Sequence, residues 1–312
     1  MKLARPEVFH PRIVLASCAA LPEGDSDDAG LVAALRARGL HVSWKPWDDP
    51  VTLQADLVVL RATWDYSERV EEFVAWTRAV RNLLNPPALV AWNIDKHYLL
   101  DLQRDGLPIV PTRYYGADET VPPPTGEVVV KPAVGAGSVG AQRFVDPAAA
   151  LRHAGALQSA GRAVLVQPYD PRIARGETAL VFLNGEPSHA FTKGPILPPA
   201  GRGPQFEPTG TFAAEKLGAA DPAEEVWEVG HAAIAAVTNR FAIASRDLLY
   251  ARVDVIGGAD DPRLLELELV EPSLGFRQLG AAEKRRAERD YALGVEAALI
   301  RLGLGPLSHR GM

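Results

Sequence analysis

The sequence contains very little sulfur and no long hydrophobic run. Its 312 residues include one cysteine, Cys18, and two methionines. A single cysteine excludes a disulfide framework and a metal site built from cysteine thiolates. Residues 1–6 lead into no apolar segment, and no apolar run approaches the length that spans a membrane. We therefore expect a soluble cytoplasmic protein without membrane partners.

The sequence also lacks an excess of positive charge. It carries 33 basic and 39 acidic residues, which gives a formal net charge of −6. This balance indicates no general affinity for nucleic acid. An apolar fraction of 47% allows a sizeable core, and this length is typical of one large domain or two to three small ones. The composition is compatible with a monomer or a homo-oligomer.

Strand and helix patterns alternate in the first part of the chain. The predicted strands are residues 12–17, 40–44 and 55–60. A helix is predicted over residues 31–39, with Asp27 and Asp28 as candidate caps. This alternation is typical of a parallel sheet with helices on its faces, and ligands of such sheets lie beyond the carboxyl ends of the strands.

A cluster of polar and aromatic residues follows the third predicted strand, namely Arg61, Trp64, Asp65 and Tyr66. A guanidinium can pair with a carboxylate through two hydrogen bonds, and a carboxylate can pair with an ammonium group. The cluster therefore suits an amino-acid-like zwitterion. The alternative is a set of helix-capping residues beside a packed tryptophan. We favour contact with a substrate.

The middle of the chain is predicted from periodicity and from proline. A helix is expected over residues 67–81, a strand over 89–93, and a further helix from residue 94 to about residue 106. The proline-rich stretch 118–125 is typical of a connector into a new subdomain.

A glycine-rich loop lies between two predicted strands. Residues 127–132 and 141–145 are the strands, and residues 133–140 form the loop. The backbone N–H groups of such a loop can fold over phosphates, and Lys131 leads directly into it. The loop is not a P-loop, because its lysine precedes the glycines.

A hairpin near the C-terminal end places several charges on one face. Its predicted strands are residues 250–256 and 264–273. Because side chains alternate along a strand, Arg252 and Asp254 share one face, and Glu266 and Glu268 share another. If these faces coincide, three carboxylates and an arginine lie close together. Oxygen ligands without histidine or cysteine favour Mg²⁺ or Mn²⁺, whereas the alternative is a solvated acidic face.

The remaining elements complete the predicted architecture. Residues 175–193 form a hairpin around the Asn184–Gly185 turn. Residues 194–211 form a long loop rich in proline and glycine, which is typical of a lid or binding loop and less often of disorder. Helices are predicted over residues 221–238 and 281–302.

Taken in order along the chain, these motifs resemble the ATP-grasp superfamily, especially its glutathione-synthetase-like members. The motifs are Asp95–Lys96, residues 107–112, Val130–Lys131–Pro132 with its glycine loop, residues 166–169, Gly176–Glu177, residues 252–254 and residues 266–268. The block at residues 60–66, with residues 17–22 and 268–273, is similar to one branch. That branch includes the O-ureido-D-serine cyclo-ligase of cycloserine biosynthesis.

The resemblance implies an α/β protein whose C-terminal part is α+β. An N-terminal domain with a parallel sheet (residues 1–94) would precede a two-subdomain ATP-grasp fold, with a lid subdomain at 95–170 and a C-terminal subdomain with the metal site at 171–312. The implied reaction is ATP-dependent activation of a carboxylate as an acyl phosphate, which an amine-type nucleophile then attacks.

The resemblance also implies roles for individual residues. Those implied to bind ATP are Lys96, Lys131, Gly135, Gly137, Ser138, Val166, Gln167, Tyr169 and Glu177. Those implied to hold Mg²⁺ or Mn²⁺ are Asp254, Glu266 and Glu268. Arg252 and Lys193 are the candidate catalytic residues, with surface ion pairing as the alternative. The substrate, a small amino-acid-like molecule, is assigned to Arg61, Trp64, Asp65, Tyr66 and Ser273.

One position departs from the family pattern. Family members usually carry asparagine where this chain has Glu268. The additional charge should hold a metal at least as firmly, and Glu271 is an alternative third ligand. The sequence leaves open whether the reaction joins two molecules or closes a ring. It also leaves open a kinase that forms no amide and a binding protein that has no catalytic activity.

Overall fold

The computed structural model describes residues 10–198, 200, 204–206 and 216–305. The strands are β1 (Arg12–Ser17), β2 (His41–Pro46), β3 (Leu57–Ala62), β4 (Leu83–Leu84), β5 (Arg113–Tyr115), β6 (Val128–Pro132), β7 (Gln142–Phe144), β8 (Val164–Pro168), β9 (Glu177–Leu183), β10 (Glu186–Lys193), β11 (Leu217–Ala219), β12 (Tyr250–Ile256) and β13 (Arg263–Glu268). The helices are α1 (Leu31–Ala37), α2 (Val70–Ala79), α3 (Pro87–Asn93), α4 (Tyr98–Arg104), α5 (Pro147–Ser159), α6 (Glu224–Phe241) and α7 (Ala281–Arg301). Within the described ranges, no helix combines the length and apolar character needed to cross a membrane.

The N-terminal strands form the predicted parallel sheet. Its order is β2-β1-β3-β4, and each neighbouring pair is parallel. Strands β1 and β3 are buried on both faces, so they appear in the sequence as apolar runs without alternation. The α/β class of this part of the chain is confirmed.

The prediction of a strand over residues 89–93 is wrong, because these residues belong to helix α3. Pro87 occupies the first turn of this helix, where its missing N–H costs no hydrogen bond. Leu89, Val90 and Asn93 are buried together on one side of the helix. A short apolar run does not distinguish a buried strand from a buried helix. The last strand of the sheet is instead β4.

The rest of the chain forms two antiparallel sheets, which confirms the predicted α+β character. The first has the order β5-β8-β6-β7, and the glycine-rich loop connects β6 to β7. The second has the order β11-β10-β9-β12-β13 and contains both predicted hairpins. The domain boundaries drawn from the sequence stay predictions.

The C-terminal helix returns to the beginning of the chain. Tyr291 and Val295 of α7 share one hydrophobic core with Ile13 of β1 and with Leu31 and Leu35 of α1. Val181 and Phe191 of the five-stranded sheet belong to the same core. The parallel sheet and the sheet that carries the acidic hairpin are therefore packed around shared apolar contacts.

Strand β13 lies at the edge of its sheet, where backbone groups lack a neighbouring strand. Side chains from α3 and α4 supply the missing partners. The Asn93 side chain donates to Leu267 O (2.9 Å) and accepts from Leu269 N (2.8 Å). Leu267 N donates to the Tyr98 hydroxyl (2.9 Å). The position of the acidic strand therefore depends on contacts with the segment that precedes the glycine-rich loop.

Replacing Asn93 with leucine tests this dependence. The variant would leave Leu267 O and Leu269 N buried without partners, and each unsatisfied group costs about 1–3 kcal/mol. We expect the free energy of unfolding, measured by urea denaturation, to fall by about 2 kcal/mol or more. Asn239→Leu on the exposed side of α6 is the control. Equal stability of the two variants would contradict this account of the edge.

Candidate active site

A cavity lies where the glycine-rich loop faces the acidic hairpin. Its lining includes Lys96, Lys131, Lys193, Gln167, Glu177, Arg252, Glu266, Glu268, Glu271, Trp64, Tyr66 and Asn93, with Gly135, Gly137 and Ser138 of the loop. A larger open groove of about 740 Å³ lies elsewhere, between the start of β10 and α7. Only the first cavity combines lysines, a glycine-rich loop and a carboxylate strand among the described residues, so we assign the site there.

Three lysines, Lys96, Lys131 and Lys193, converge on this cavity and are called the lysine cluster below. Lys96 Nζ donates to Gly135 O (2.8 Å) and lies 3.2 Å from Glu266 Oε1. This contact fixes the start of the glycine-rich loop beside the acidic strand. The loop itself turns through positive φ values at Gly137 (57°) and Gly140 (79°), conformations that glycine adopts without strain.

Lys131 differs from the other members of the lysine cluster. Among the described residues, no carboxylate lies within ion-pair distance of its ammonium group. Burial lowers the pKa of Lys131, and the more distant Glu266 offsets this effect only in part. An anion that entered the cavity would supply the missing partner. Lys131 is therefore suited to hold a phosphate group.

The predicted coincidence of polar faces is confirmed by the strand register. Arg252 lies opposite Glu268, and Asp254 lies opposite Glu266. Arg252 binds Asp254 through Nε (2.9 Å) and Nη2 (2.9 Å), and it also contacts the Glu268 carboxylate. Lys193 Nζ lies 2.8 Å from Asp254 and 3.3 Å from Glu177. The carboxylates of this face are thus interleaved with cations.

The lysine cluster keeps Glu266 ionised. Although burial alone would raise it, the charges of Lys96, Lys131 and Lys193 lower the pKa of Glu266 to about 2. Glu268 and Glu271, further along the chain, lie in surroundings that raise the pKa of each carboxyl group. Burial raises the pKa of Glu268 to about 7 despite Arg252, and burial together with Glu268 raises the pKa of Glu271 to about 8. A cation entering between these two glutamates would stabilise their ionised forms.

The three predicted metal ligands differ in their access to the cavity. Glu266 and Glu268 line it, whereas Asp254 is fully buried beneath Arg252 and Lys193. Within the described part of the chain, no group of three or more acidic, histidine or cysteine side chains is arranged to hold a metal ion. The oxygen donors still fit Mg²⁺ or Mn²⁺ chemically. Asp254 would reach a metal only after Arg252 or Lys193 had moved.

The predicted hinge residues are only partly at the cavity. Gln167 lines it and donates to Thr112 Oγ1 (2.8 Å). Val166 instead packs in the core of the β5-β8-β6-β7 sheet, and the Tyr169 ring lies under the guanidinium of Arg143 at 3.4 Å. Their side chains are therefore not part of the cavity lining. The predicted lid at 194–211 lies partly outside the described residues, although Ile196 and Leu197 line the cavity.

Arg61, which is assigned to the substrate from the sequence, does not line the cavity. Its side chain is 1% exposed, and Nε and Nη2 bind the two carboxylate oxygens of Asp28 at 3.0 and 2.9 Å. Nη2 also donates to Pro272 O (2.8 Å), and the guanidinium lies 5.0 Å from the Tyr250 ring centroid. Arg61 thus already has a carboxylate partner inside the protein. It connects β3 to the segment that follows the acidic strand.

Two further residues assigned to the substrate, Asp65 and Ser273, also have partners within the protein. Asp65 accepts a hydrogen bond from Trp47 Nε1 (2.8 Å), and the Ser273 hydroxyl donates to Asp27 Oδ2 (3.2 Å). Neither side chain lines the cavity. Asp27 and Asp28 were predicted to cap α1, but the structure gives that helix no side-chain cap. Of the predicted substrate residues, only Trp64 and Tyr66 line the cavity.

The sequence analysis missed the contact between these aromatic residues and Glu271. Trp64 Nε1 donates to Glu271 O (3.0 Å), and the nearby Glu271 carboxylate adds to the effect of burial in raising the pKa of Tyr66. Glu271 was considered only as an alternative metal ligand. The contact joins residues about 200 positions apart, so no local pattern signals it.

Comparisons with known proteins show which family this chain belongs to. Residues 13–85 match the family model of the N-terminal domain of D-cycloserine synthetase DcsG. The cycloserine biosynthesis protein DcsG of Streptomyces lavendulae is 36% identical over 271 residues, which are 81% of this chain and 88% of that protein.

Solved structures give the same result. The crystal structure of D-cycloserine synthetase DcsG matches with a TM-score of 0.79 at 32% identity, over 92% of this chain and 99% of that one. The ATP complex of D-alanine–D-alanine ligase from Bacillus anthracis matches with a TM-score of 0.61 at 14% identity, over 94% and 98% of the two chains. The fold is that of an ATP-grasp ligase. The chain belongs to the family of D-cycloserine synthetase DcsG, which confirms the superfamily and the branch inferred from the sequence.

The buried ion pair between Arg61 and Asp28 gives a prediction about stability. Removing one partner of a buried ion pair leaves the other charge uncompensated, which costs about 3–5 kcal/mol. We expect Arg61→Leu and Asp28→Leu each to lower the free energy of unfolding by this amount, and the double variant to lose less than the sum. Urea denaturation measures all three. An Arg61→Leu protein of wild-type stability with a raised KM for substrate would restore the original assignment.

Proposed function

We propose that this protein is an ATP-dependent ligase that closes a ring in a small amino-acid-like substrate. The observation that carries the proposal is the position of Lys131 beside a glycine-rich loop and opposite a carboxylate strand, with no ion-paired carboxylate among the described residues. Ring closure is favoured over joining two molecules because the relative at 36% identity is a cycloserine biosynthesis protein. Relatives at lower identity support the fold alone.

Lys96, Lys131 and the glycine-rich loop would hold the phosphates of ATP. The lysines supply charge, and backbone N–H groups of the loop supply further donors. Gln167 and Glu177, which also line the cavity, would help to order the nucleotide. These residues come from separate elements, so their convergence is a property of the folded chain.

Glu266 and Glu268 would hold Mg²⁺, and Mn²⁺ satisfies the same oxygen donors. When bound, the ion would neutralise charge on the outer phosphates. Asp254 would join these ligands only if Arg252 or Lys193 released it. In the structure as described, Asp254 holds the two cations in place.

The proposed reaction has two steps. A carboxylate oxygen of the substrate attacks the γ-phosphorus of ATP, so that ADP leaves and an acyl phosphate forms. An amine-type nitrogen of the same molecule then attacks the acyl carbon, phosphate leaves, and the nitrogen loses a proton. Arg252 and Lys193 would stabilise the negative charge that develops on the acyl phosphate and on its tetrahedral successor.

The proposal is tested by the products of turnover. With ATP, Mg²⁺ and O-ureido-D-serine, we expect ADP and free phosphate in equal amounts, together with a cyclised product identified by mass spectrometry. Ring closure alone leaves the carbamoyl group on the ring nitrogen, so D-cycloserine forms only when water attacks the ureido carbonyl carbon and the carbamoyl group leaves as carbamate, which decomposes to carbon dioxide and ammonia. A panel of amino-acid pairs distinguishes ring closure from intermolecular ligation. AMP and pyrophosphate as stoichiometric products would contradict the acyl-phosphate route. A phosphorylated product that never cyclises would identify a kinase.

Lys131→Met tests the phosphate assignment. Loss of one charge-assisted hydrogen bond, worth about 1.5–3 kcal/mol, should weaken binding of a non-hydrolysable ATP analogue roughly 10- to 100-fold. Isothermal titration calorimetry measures the affinity. Lys45→Met, which removes a surface lysine paired with Asp49, is the matched control. Unchanged affinity in a folded Lys131→Met protein would place the phosphates elsewhere.

A further inference from the structure

Glu271 is the one carboxylate of the cavity lining that lacks a cationic partner within the described residues. Glu177 and Glu266 contact lysines, and Glu268 contacts Arg252. Among the residues that the structure describes, no lysine, arginine or histidine lies within ion-pair distance of Glu271, whose side chain is buried and lines the cavity. The ionised form of a carboxylate buried in this way is unfavourable until a ligand supplies a positive charge.

The surroundings of Glu271 differ from those of the lysine cluster. Glu271 follows Glu266 by five residues, beyond the end of β13. Glu271 shares the cavity lining with the rings of Trp64 and Tyr66, and Trp64 Nε1 donates to its backbone oxygen. We call these three residues the acidic aromatic part of the cavity, and the lysine cluster with the glycine-rich loop its cationic part.

The aromatic residues are held in place by contacts with other residues of the fold. Tyr66 is buried and stacks on Phe73 of α2 at a centroid distance of 4.9 Å. Trp64 is fixed by its hydrogen bond to Glu271 O. The Tyr66 hydroxyl lies close enough to the Glu271 carboxylate for each group to affect the pKa of the other. A carboxylate that shares a cavity wall with two aromatic rings suits an alkylammonium group.

We propose that Glu271, oriented by Tyr66 and walled by Trp64, binds the ammonium group of the substrate. This inference rests on the proposed function and refines it. It assigns the substrate a positive charge on its α-amine, next to the carboxylate that receives the phosphate. The cationic part of the cavity then binds the phosphates, and the acidic aromatic part selects α-amino acids over carboxylic acids without an amine. The rival role of Glu271 is that of a third metal ligand.

The test compares Glu271→Gln with wild type on two substrates, the amino acid that wild type cyclises and its analogue with hydroxyl in place of the α-amine. Glutamine keeps the shape of the side chain and removes the charge. We expect the KM for the amine substrate to rise roughly 10- to 100-fold. The KM for the hydroxyl analogue, the affinity for the ATP analogue and the Mg²⁺ concentration for half-maximal rate should each stay within about threefold.

Two further variants complete the experiment. Tyr66→Phe should shift the amine KM in the same direction by a smaller factor, because it removes only the hydroxyl that orients Glu271. It also carries the test if Glu271→Gln does not fold, as judged by circular dichroism. Glu186→Gln, an exposed glutamate at the start of β10, is the control and should behave as wild type.

Three outcomes overturn the inference. A raised Mg²⁺ requirement and weaker ATP binding in Glu271→Gln, with an unchanged preference for the amine, would make Glu271 a metal ligand. Wild-type kinetics in both Glu271→Gln and Tyr66→Phe would remove the residue from substrate recognition. A wild-type protein that forms no ADP with any carboxylate would refute the proposed function itself, and the inference would fall with it.

Discussion

The arrangement of charge on one face of the β12–β13 hairpin constrains the rest of the structure. The register places Asp254 opposite Glu266 and Glu268 next along the strand. Carboxylates this close repel one another unless cations lie between them. Arg252, Lys96 and Lys193 supply those cations from three different parts of the chain. Folding of the hairpin is therefore coupled to the segment before the glycine-rich loop and to the end of β10.

The edge of β13 adds a second coupling of the same kind. The backbone groups of β13 that have no neighbouring strand are bound by Asn93 and Tyr98, and Ile109 adds a parallel bridge to Leu264. Arg61 then joins the parallel sheet to Pro272, just beyond the acidic strand. Because each contact satisfies a buried polar group, the parts of the cavity wall cannot separate without leaving such groups unpaired. The cavity is thereby organised before any ligand enters.

This pre-organisation suits chemistry in which the protein forms no covalent bond. Phosphoryl transfer to a carboxylate needs positioned cations and the exclusion of water more than it needs a nucleophilic side chain. The lysine cluster and Arg252 lie in a partly buried site, where charges interact more strongly than in water. Because the chain belongs to the DcsG family, the reaction class expected of this cavity is that of an ATP-grasp ligase. The position of Glu271 beside Trp64 and Tyr66 adds a proposed basis for selecting the substrate by its ammonium group.

The sequence by itself determined the features that depend on neighbouring residues. Alternation along residues 250–256 and 264–273 placed Arg252 and Asp254 on one strand face and Glu266 and Glu268 on another, and the register showed that these faces coincide. The glycine spacing marked the loop after Lys131. The order of these motifs also identified the superfamily. Periodicity was insufficient for residues 89–93, since a short buried run is compatible with a strand or a helix.

Only the tertiary structure decided which polar groups pair with one another. Arg61 binds Asp28, 33 residues away, and Ser273 binds Asp27, 246 residues away. The sequence shows that such side chains can form ion pairs and hydrogen bonds, but each has many candidate partners along the chain. Burial selects among them, because a charged or polar group taken from water must find a partner at the point where the fold places it. Arg61 and Ser273, both expected at the substrate, thus have partners within the protein, while Glu271 lines the cavity.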